Sequence, residues 1–230
     1  MKALLLSAGF GTRLRPITNS LPKCLVPIHG KPLLAYWLDL LFAHNIQDIL
    51  INTHYLPDHV KNFVAHYPQA SHIKLVHEDE LLGTAGTVLA NREFFQDGPF
   101  LLIHADNLTR FNVAAFCEAH AKRAKGIEIT MMTFETDSPK SCGIVELDGD
   151  NRVIAFHEKV ANPPSNHANA AVYILEPSVI DFMATLGKRV IDFSTEVLPH
   201  YMFRMQTYHN ADYHRDIGTL ESLRLAELEY

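Results

Sequence analysis

The chain has 230 residues, 47% of them hydrophobic, so it is long enough to form an α/β domain with a substantial core. Its 20 lysines and arginines against 26 aspartates and glutamates give a net charge of −6, which argues against a general nucleic-acid-binding surface. The first apolar run is too short for a signal peptide or a membrane span. We therefore expect a cytoplasmic protein that binds neither nucleic acid nor membranes.

Apolar runs alternate with amphipathic helical repeats over the first 134 residues, which predicts βαβ units and a parallel sheet. The predicted strands lie at 3–6, 48–52, 73–76, 100–103 and 127–134, with helices at about 33–44, 58–66, 84–95 and 113–124. After residue 134 the pattern predicts a hairpin at 143–146 and 153–156, and a strand at 170–175. A helix at 177–186, a short helix at 196–201, a strand at 202–208 and a helix at 219–228 follow.

The segment from Ser7 to Lys23 follows the first predicted strand and has the features of a phosphate-binding loop. Gly9 and Gly11 allow a tight turn whose backbone N–H groups can face an anion. Arg13 can bind phosphate oxygens in a bidentate fork, and Lys23 adds a mobile positive charge. The spacing is neither that of a P-loop nor that of a dinucleotide fingerprint. A tight strand-to-helix turn without a ligand is the structural alternative.

Residues 9–18 read Gly-x-Gly-Thr-Arg-Leu-x-Pro-x-Thr, and Pro-Lys (22–23) and Leu-Val-Pro-Ile (25–28) follow. Together they resemble the signature of the sugar-1-phosphate nucleotidyltransferases, or NDP-sugar pyrophosphorylases. The resemblance covers residues 1–227. It implies a Rossmann-like α/β fold with a mostly parallel central sheet flanked by helices, a smaller sugar-binding β-rich portion and no left-handed β-helix. It also implies one domain, in which residues 1–135 mainly bind nucleotide and 136–230 mainly bind sugar phosphate.

Two aspartates are candidate site residues: Asp106 lies just after the predicted strand at 100–103, at the edge where open α/β sheets bind ligands, and Asp216 lies just before the last predicted helix. By themselves, Asp106 reads as a turn or helix-capping residue and Asp216 as a strand-end residue. The resemblance implies that both bind Mg²⁺, which prefers oxygen ligands and few protein side chains. Some relatives carry a second aspartate three or four residues after the first, but residues 109–111 of this chain are Thr, Arg and Phe.

The resemblance implies three groups of site residues. The catalytic group is Arg13, Lys23, Asp106 and Asp216. The nucleotide-binding group is Ala8, Gly9, Gly11, Thr12, Arg13, Lys23, Glu80, Leu81, Gly83 and Thr84. The sugar-phosphate-binding group is Asn107, Gly143, Glu158, Lys159 and Asn169. Acidic residues that open a helix, and a solvated Glu-Lys pair, are the structural alternatives for residues 78–80 and 158–159.

The implied reaction is Mg²⁺-dependent transfer of a nucleotidyl group from an NTP to a sugar 1-phosphate, with release of pyrophosphate. We expect GTP and a mannose- or heptose-type 1-phosphate as substrates, with uridylyl or thymidylyl transfer to another (amino)sugar 1-phosphate as the alternative. Thymidylyl-type relatives typically carry Gln in place of Thr84. A non-catalytic nucleotide-sugar-binding regulator would be expected to lack one of the four catalytic residues. A glycosyltransferase of similar fold would carry Asp-x-Asp where residues 106–108 are Asp-Asn-Leu. We expect a monomer or a small homo-oligomer.

Overall fold

The computed structural model describes all residues from Met1 to Tyr230. The strands are β1 (Lys2–Leu6), β2 (Pro27–Ile28), β3 (Lys31–Pro32), β4 (Asp48–Thr53), β5 (Ile73–His77), β6 (Phe100–His104), β7 (Asn107–Arg110), β8 (Ile129–Glu135), β9 (Gly143–Leu147), β10 (Val153–Glu158), β11 (His167–Leu175), β12 (Met205–His209) and β13 (Tyr213–Asp216). The α-helices are α1 (Leu33–Ala43), α2 (Pro57–Ala65), α3 (Gly83–Ala90), α4 (Arg92–Phe95), α5 (Val113–Ala121), α6 (Pro177–Thr185) and α7 (Leu220–Glu229).

The chain divides into two compact units, each made of separate sequence segments. The first unit comprises Met1–Leu81, Ile103–Val113 and Asp212–Tyr230, and the second comprises Leu82–Leu102 and Ala114–Ala211. None of the boundaries between these segments falls at residue 135. The predicted assignment of 1–135 to the nucleotide and 136–230 to the sugar phosphate stays a prediction.

The first unit is built on parallel strands. β1 pairs in parallel with β4, and β4 in parallel with β5. Leu4 and Leu5 of β1 and Ile49, Leu50 and Ile51 of β4 are fully buried. Such continuous apolar runs are expected when helices cover both faces of a parallel sheet. Loops at the carboxyl ends of these strands carry the predicted phosphate-binding residues.

The second unit contains a mixed set of strands. β11 pairs antiparallel with β8 and with β9, β9 pairs antiparallel with β10, and β12 pairs in parallel with β8. The predicted α/β class, with helices flanking a mostly parallel sheet, is confirmed. However, β8 was expected to continue the parallel series, and it lies instead between a parallel and an antiparallel neighbour.

The predicted helix over 84–95 is wrong in one respect, because it is two helices separated at Asn91. The side-chain Nδ2 of Asn91 donates to the carbonyl of Thr87, 2.9 Å away, and the Asn91 N–H turns to the carbonyl of Val88 instead. A side chain that binds the carbonyl four residues back competes with the backbone and ends the helix. The predicted short helix at 196–201 is a π-turn, Phe193–Val197, followed by a 3-10 turn, Leu198–Tyr201.

The last helix begins as predicted. Thr219 is its N-cap: the Thr219 hydroxyl accepts from the N–H of Ser222, and the Ser222 hydroxyl accepts from the N–H of Thr219. This reciprocal capping satisfies two backbone donors that a helix leaves open. No helix of the chain combines the length and the apolar character needed to cross a membrane. Cys24, Cys117 and Cys142 are free thiols.

A buried polar network links α5, β8 and the start of α6 in the second unit. His120 Nε2 lies 3.0 Å from Glu176 Oε1, and His120 Nδ1 lies 2.8 Å from the hydroxyl of Thr130. Because a carboxylate only accepts, Nε2 carries the proton and Nδ1 accepts from Thr130. The Thr130 oxygen in turn accepts from Gln206. Burial lowers the pKa of His120, an effect that the hydrogen bond from His120 to Glu176 only partly offsets.

We predict that this network makes stability depend on pH. Because the pKa of His120 is lower in the folded chain, the unfolded chain binds the extra proton first, and stability falls as pH drops below the ordinary histidine value of about 6.5. His120→Gln should cost roughly 1–3 kcal/mol at pH 7.5 through lost buried hydrogen bonds. At pH 5.5, urea unfolding should show a smaller difference in the free energy of unfolding between His120→Gln and the parent. His66→Gln, at an exposed position, is the control, and a deficit that is equal at both pH values would contradict the assignment.

Candidate active site

A short antiparallel ladder brings the two predicted metal-binding aspartates together in the first unit. Asn107 of β7 pairs with Asp216 of β13, and the N–H of Ile217 donates to the carbonyl of Asp106, 3.2 Å away. The indole N–H of Trp37 fixes the same strand by donating to the carbonyl of Asn107 at 2.8 Å. Adjacent positions on paired strands therefore carry the two carboxylates. Neither strand was predicted from the sequence.

Lys23 joins the two carboxylates. Its Nζ donates to Asp106 Oδ2 at 2.7 Å and to Asp216 Oδ1 at 3.0 Å. The Lys23 side chain is only 9% exposed, whereas the carboxylates are 40% and 49% exposed, so the ammonium lies below them and they face solvent. This arrangement leaves the carboxylates open to a ligand from one side.

The charges of these three residues support one another. Burial by itself would lower the pKa of Lys23, but the negative charges of Asp106 and Asp216 outweigh it and the pKa is raised. Burial would likewise raise the pKa of Asp106, but the Lys23 charge, with a smaller contribution from His104, lowers it. The lysine and the Asp106 carboxylate are therefore both charged at neutral pH.

Arg13 approaches the same pair from the solvent side, and Gly218 makes room for it. Arg13 Nη2 lies 3.6 Å from Asp216 Oδ2, and the Arg13 side chain is 65% exposed. A Cβ atom on Gly218 would lie 2.6 Å from Asp216 Oδ2 and 2.9 Å from Arg13 Nη2. The sequence analysis did not include Gly218 among the site residues. The sequence feature that could have indicated Gly218 is its place two residues after an aspartate at a strand end.

Gly11 allows the predicted phosphate-binding loop to turn back on itself. Its φ is +62°, and a Cβ atom there would lie 3.0 Å from Thr18 Cγ2 and 3.1 Å from Lys23 Cβ. The Thr18 hydroxyl donates to the carbonyl of Gly11 at 2.7 Å, and the Tyr55 hydroxyl donates to the carbonyl of Thr18 at 2.8 Å. Gly9, by contrast, has open space around it. Packing therefore requires a glycine at position 11 but not at position 9.

A buried polar chain lies beneath this loop, at the carboxyl ends of β1, β4 and β5. Asn52 Oδ1 accepts from the Ser7 N–H at 2.8 Å, and its Nδ2 donates to Glu78 Oε1 at 2.9 Å. The Ser7 hydroxyl also donates to the Asn52 carbonyl at 2.5 Å. All three residues are buried. This chain was not predicted from the sequence, although polar residues at the carboxyl ends of predicted strands were a signal for it.

The remaining nucleotide-binding predictions fall into two groups. In the first unit, Ala8 is buried, Thr12 and Glu80 are exposed and Leu81 is half-buried. In the second unit, Gly83 and Thr84 open α3 and pack against residues 189–193. A Cβ on Gly83 would lie 2.5 Å from the carbonyl oxygen of Ile191, and the Thr84 hydroxyl accepts from the N–H of Phe193 at 2.7 Å. Close packing therefore explains the small residues of this loop by itself, and a base-binding role stays a prediction.

Three of the predicted sugar-phosphate residues lie together in the second unit. Gly143 of β9 is paired with Glu158 of β10, and a Cβ on Gly143 would lie 2.8 Å from Glu158 Oε2. Lys159 Nζ is 2.8 Å from Glu158 Oε1, and the Lys159 N–H donates to the carbonyl of Cys142. The Lys159 side chain is 65% exposed, which leaves its ammonium accessible to an anion.

Asn169 builds a bulge in β11 next to this cluster. Its Oδ1 accepts from the Ala171 N–H at 2.9 Å, and its Nδ2 donates to the Tyr173 hydroxyl at 2.6 Å. The pairing of β11 with β8 shifts register between Asn169 and Tyr173. Ala171 has a φ of +54°, a left-handed conformation that costs alanine more than glycine. Asn107, the fifth predicted residue, is buried in the first unit.

The strain at Ala171 gives a test that does not depend on function. Ala171→Gly should raise the free energy of unfolding by about 0.5–1 kcal/mol, because glycine adopts positive φ without a steric cost. This corresponds to a rise of roughly 1–4 °C in the thermal midpoint. Ala170→Gly, at a fully buried neighbouring position where φ is not positive, is the matched control and should lower the midpoint. A drop for both variants would mean that Ala171 is not strained.

The chain resembles characterised proteins over nearly its whole length. The model of a family described as nucleotidyl transferase matches residues 2–230. The chain is 35% identical over 187 residues to mannose-1-phosphate guanylyltransferase 1 of Arabidopsis thaliana, covering 79% of this chain and 51% of that protein. It is 31% identical over 227 residues to mannose-1-phosphate guanylyltransferase of Mycobacterium tuberculosis, covering 95% and 61%. The chain thus spans about half to three fifths of the length of these relatives.

Solved structures share the fold. A Bacillus anthracis protein described as a glucose-1-phosphate thymidylyltransferase, in complex with a sucrose, superimposes with a TM-score of 0.87 at 22% identity, covering 99% of this chain and 94% of that one. HddC from Yersinia pseudotuberculosis, complexed with GMP-PN, gives 0.82 at 23% identity, covering 99% and 98%. At these identities the likeness shows the fold alone. Because the family model matches every residue but the first, the chain belongs to the nucleotidyl transferase family, as its resemblance to the sugar-1-phosphate nucleotidyltransferases predicted.

Proposed function

We propose that the protein transfers a nucleotidyl group from an NTP to a sugar 1-phosphate and releases pyrophosphate. The observation that carries the proposal is the convergence of Lys23 on Asp106 and Asp216, with Arg13 beside the second carboxylate. Cations from a glycine-containing loop, placed beside two carboxylates, can bind both a polyphosphate and a metal ion. No nucleophilic side chain is needed, because phosphoryl-type transfer depends mainly on positioning and charge neutralisation.

In the proposed reaction a phosphate oxygen of the sugar 1-phosphate attacks the α-phosphorus of the NTP in line. The bond from that phosphorus to the bridging oxygen of the pyrophosphate breaks, and pyrophosphate leaves with the electron pair. The exposed fork of Arg13 suits the leaving pyrophosphate, and the mobile ammonium of Lys23 suits the α-phosphate. Backbone N–H groups over residues 9–12 would cradle the remaining phosphate oxygens.

The carboxylate pair fits a Mg²⁺ ion. Both Asp106 and Asp216 already hold one cation, the Lys23 ammonium, within 3.0 Å, so their oxygens converge on a common point. No cluster of three or more His, Cys, Asp or Glu side chains suited to a metal is present in the chain. Mg²⁺ takes few protein ligands and completes its shell with phosphate and water, so two carboxylates can be sufficient to hold it. When bound, the ion would neutralise phosphate charge.

GTP and mannose 1-phosphate are the favoured substrates, because curated relatives at 31–35% identity are mannose-1-phosphate guanylyltransferases. Another hexose or heptose 1-phosphate, or uridylyl or thymidylyl transfer, is the alternative. On the sugar side, Glu158 would accept hydroxyl groups and Lys159 would bind the sugar phosphate, with Gly143 and Asn169 as further contacts. We further propose a cytoplasmic location, where NTPs are supplied, and a monomer or small homo-oligomer.

The test is pyrophosphate release from a grid of five NTPs against hexose, heptose and amino-sugar 1-phosphates, with Mg²⁺ and with chelator. The proposal expects turnover of at least one pair that depends on Mg²⁺, with GTP and mannose 1-phosphate the first pair to try. NTP binding without turnover of any pair would overturn catalysis and favour a nucleotide-sugar-binding regulator.

Replacing Arg13 tests its role toward the leaving group. Arg13→Ala should lower kcat roughly 10²–10³-fold, the range observed for loss of one group that stabilises developing charge. Arg224→Ala, which removes an exposed arginine paired with Glu221 on α7, is the control and should keep parental turnover. Turnover of Arg13→Ala within a few-fold of the parent would exclude this role.

Replacing Gly218 tests whether turnover depends on the position of the Arg13 guanidinium. Gly218→Ala keeps every charge but puts a methyl group where Arg13 and Asp216 meet, so we expect kcat to fall by on the order of 10-fold or more. Gly149→Ala introduces the same methyl group where no atom lies within 4 Å, and it should be silent. If both variants turn over alike at unchanged thermal midpoints, the position of Arg13 is not critical.

A further inference from the structure

Lys23 fills the place between two carboxylates where a cation would bind. Its Nζ donates hydrogen bonds to one oxygen of Asp106 and to one oxygen of Asp216, and to no other acceptor. The ammonium is therefore the counter-ion of both carboxylates in this structure. The Lys23 ammonium must move away from these oxygens, at least in part, before a divalent metal can bind to them.

We propose that Lys23 is an internal counter-ion that competes with the divalent metal for Asp106 and Asp216, and that metal binding frees its ammonium to bind phosphate. The inference deepens the proposed function and rests on it for the identity of the phosphate. The competition itself concerns only these residues and a divalent ion, so it can be measured without turnover.

Charge and geometry both require the competition. The two aspartates together with Lys23 and Arg13 have a formal charge of zero, and removing Lys23 leaves −1. A dication bound to Asp106 Oδ2 or Asp216 Oδ1 would stand close to the Lys23 ammonium, and the repulsion of like charges at such distances is large in a partly buried site. The ion and the ammonium therefore compete for these oxygens.

The Lys23 side chain is built to move at its tip and not at its base. Its Cβ is held beside Gly11, where even one added methyl carbon would be only 3.1 Å away. Beyond it lies a flexible stem with a compact charge at its end. Asp216 also keeps Arg13 near its other oxygen, so this carboxylate retains a cationic neighbour when Lys23 leaves. The lysine can thus transfer its charge to a phosphate while the loop stays in place.

The test measures Mn²⁺ binding to the nucleotide-free full chain by electron paramagnetic resonance. Lys23→Met removes the charge and keeps the length, and we expect it to bind Mn²⁺ about tenfold more tightly than the parent. Lys23→Arg keeps the charge and should stay within about twofold. Lys31→Met is the matched control, because it removes a lysine paired with Asp39 elsewhere in the same unit. Adding Asp106→Asn to Lys23→Met should abolish the gain.

Equal or weaker Mn²⁺ binding by Lys23→Met would overturn the proposal. If that variant fails to fold, as judged by circular dichroism, Lys23→Gln provides the same comparison with a polar side chain. The proposed function is assessed separately: if it holds, Lys23→Met loses turnover while it gains metal affinity. If the parent turns over no substrate but Lys23→Met still gains Mn²⁺ affinity, the competition stands and the proposed function fails.

Discussion

The bond of one lysine to two aspartates is the interaction on which the site depends. Lys23, Asp106 and Asp216 come from three distant parts of the sequence, and two backbone features hold them in place. A left-handed glycine at position 11 holds the base of Lys23, and the ladder of β7 and β13 aligns the carboxylates. Without the lysine, two half-exposed carboxylates would repel each other. The Lys23 ammonium therefore stabilises the arrangement of the two carboxylates and is also available for chemistry.

The polar chain of Ser7, Asn52 and Glu78 shows how the loop gains a rigid base. Ser7 follows β1, Asn52 lies near the end of β4 and Glu78 follows β5, and their hydrogen bonds tie these three strand ends together below the phosphate-binding turn. Buried polar groups are costly unless satisfied, so such a fully bonded chain specifies one arrangement of the strand ends. Catalysis by positioning requires this kind of support.

The sequence was sufficient for the longer strands and helices of the first 134 residues, because the hydrophobic periodicities of strands and helices are local. It was not sufficient for β7 and β13, since four-residue polar strands have no clear pattern and their partners lie about a hundred positions apart. The break at Asn91 depended on one side-chain hydrogen bond to Thr87. The steric requirement for glycine at position 218 could be recognised only once the structure placed Arg13 and Asp216 beside it. For β7, β13 and Gly218 a contact with a residue far away in the sequence decided the outcome, and for Asn91 one side-chain hydrogen bond did.

The most direct measurement of the central claim is the anomalous diffraction of Mn²⁺ in crystals of the full chain grown with a non-hydrolysable GTP analogue. The account predicts one manganese peak between Asp106 and Asp216, with the Lys23 ammonium moved from at least one carboxylate onto a phosphate oxygen. A manganese peak elsewhere, or a Lys23 that still bridges both aspartates beside the bound analogue, would contradict it.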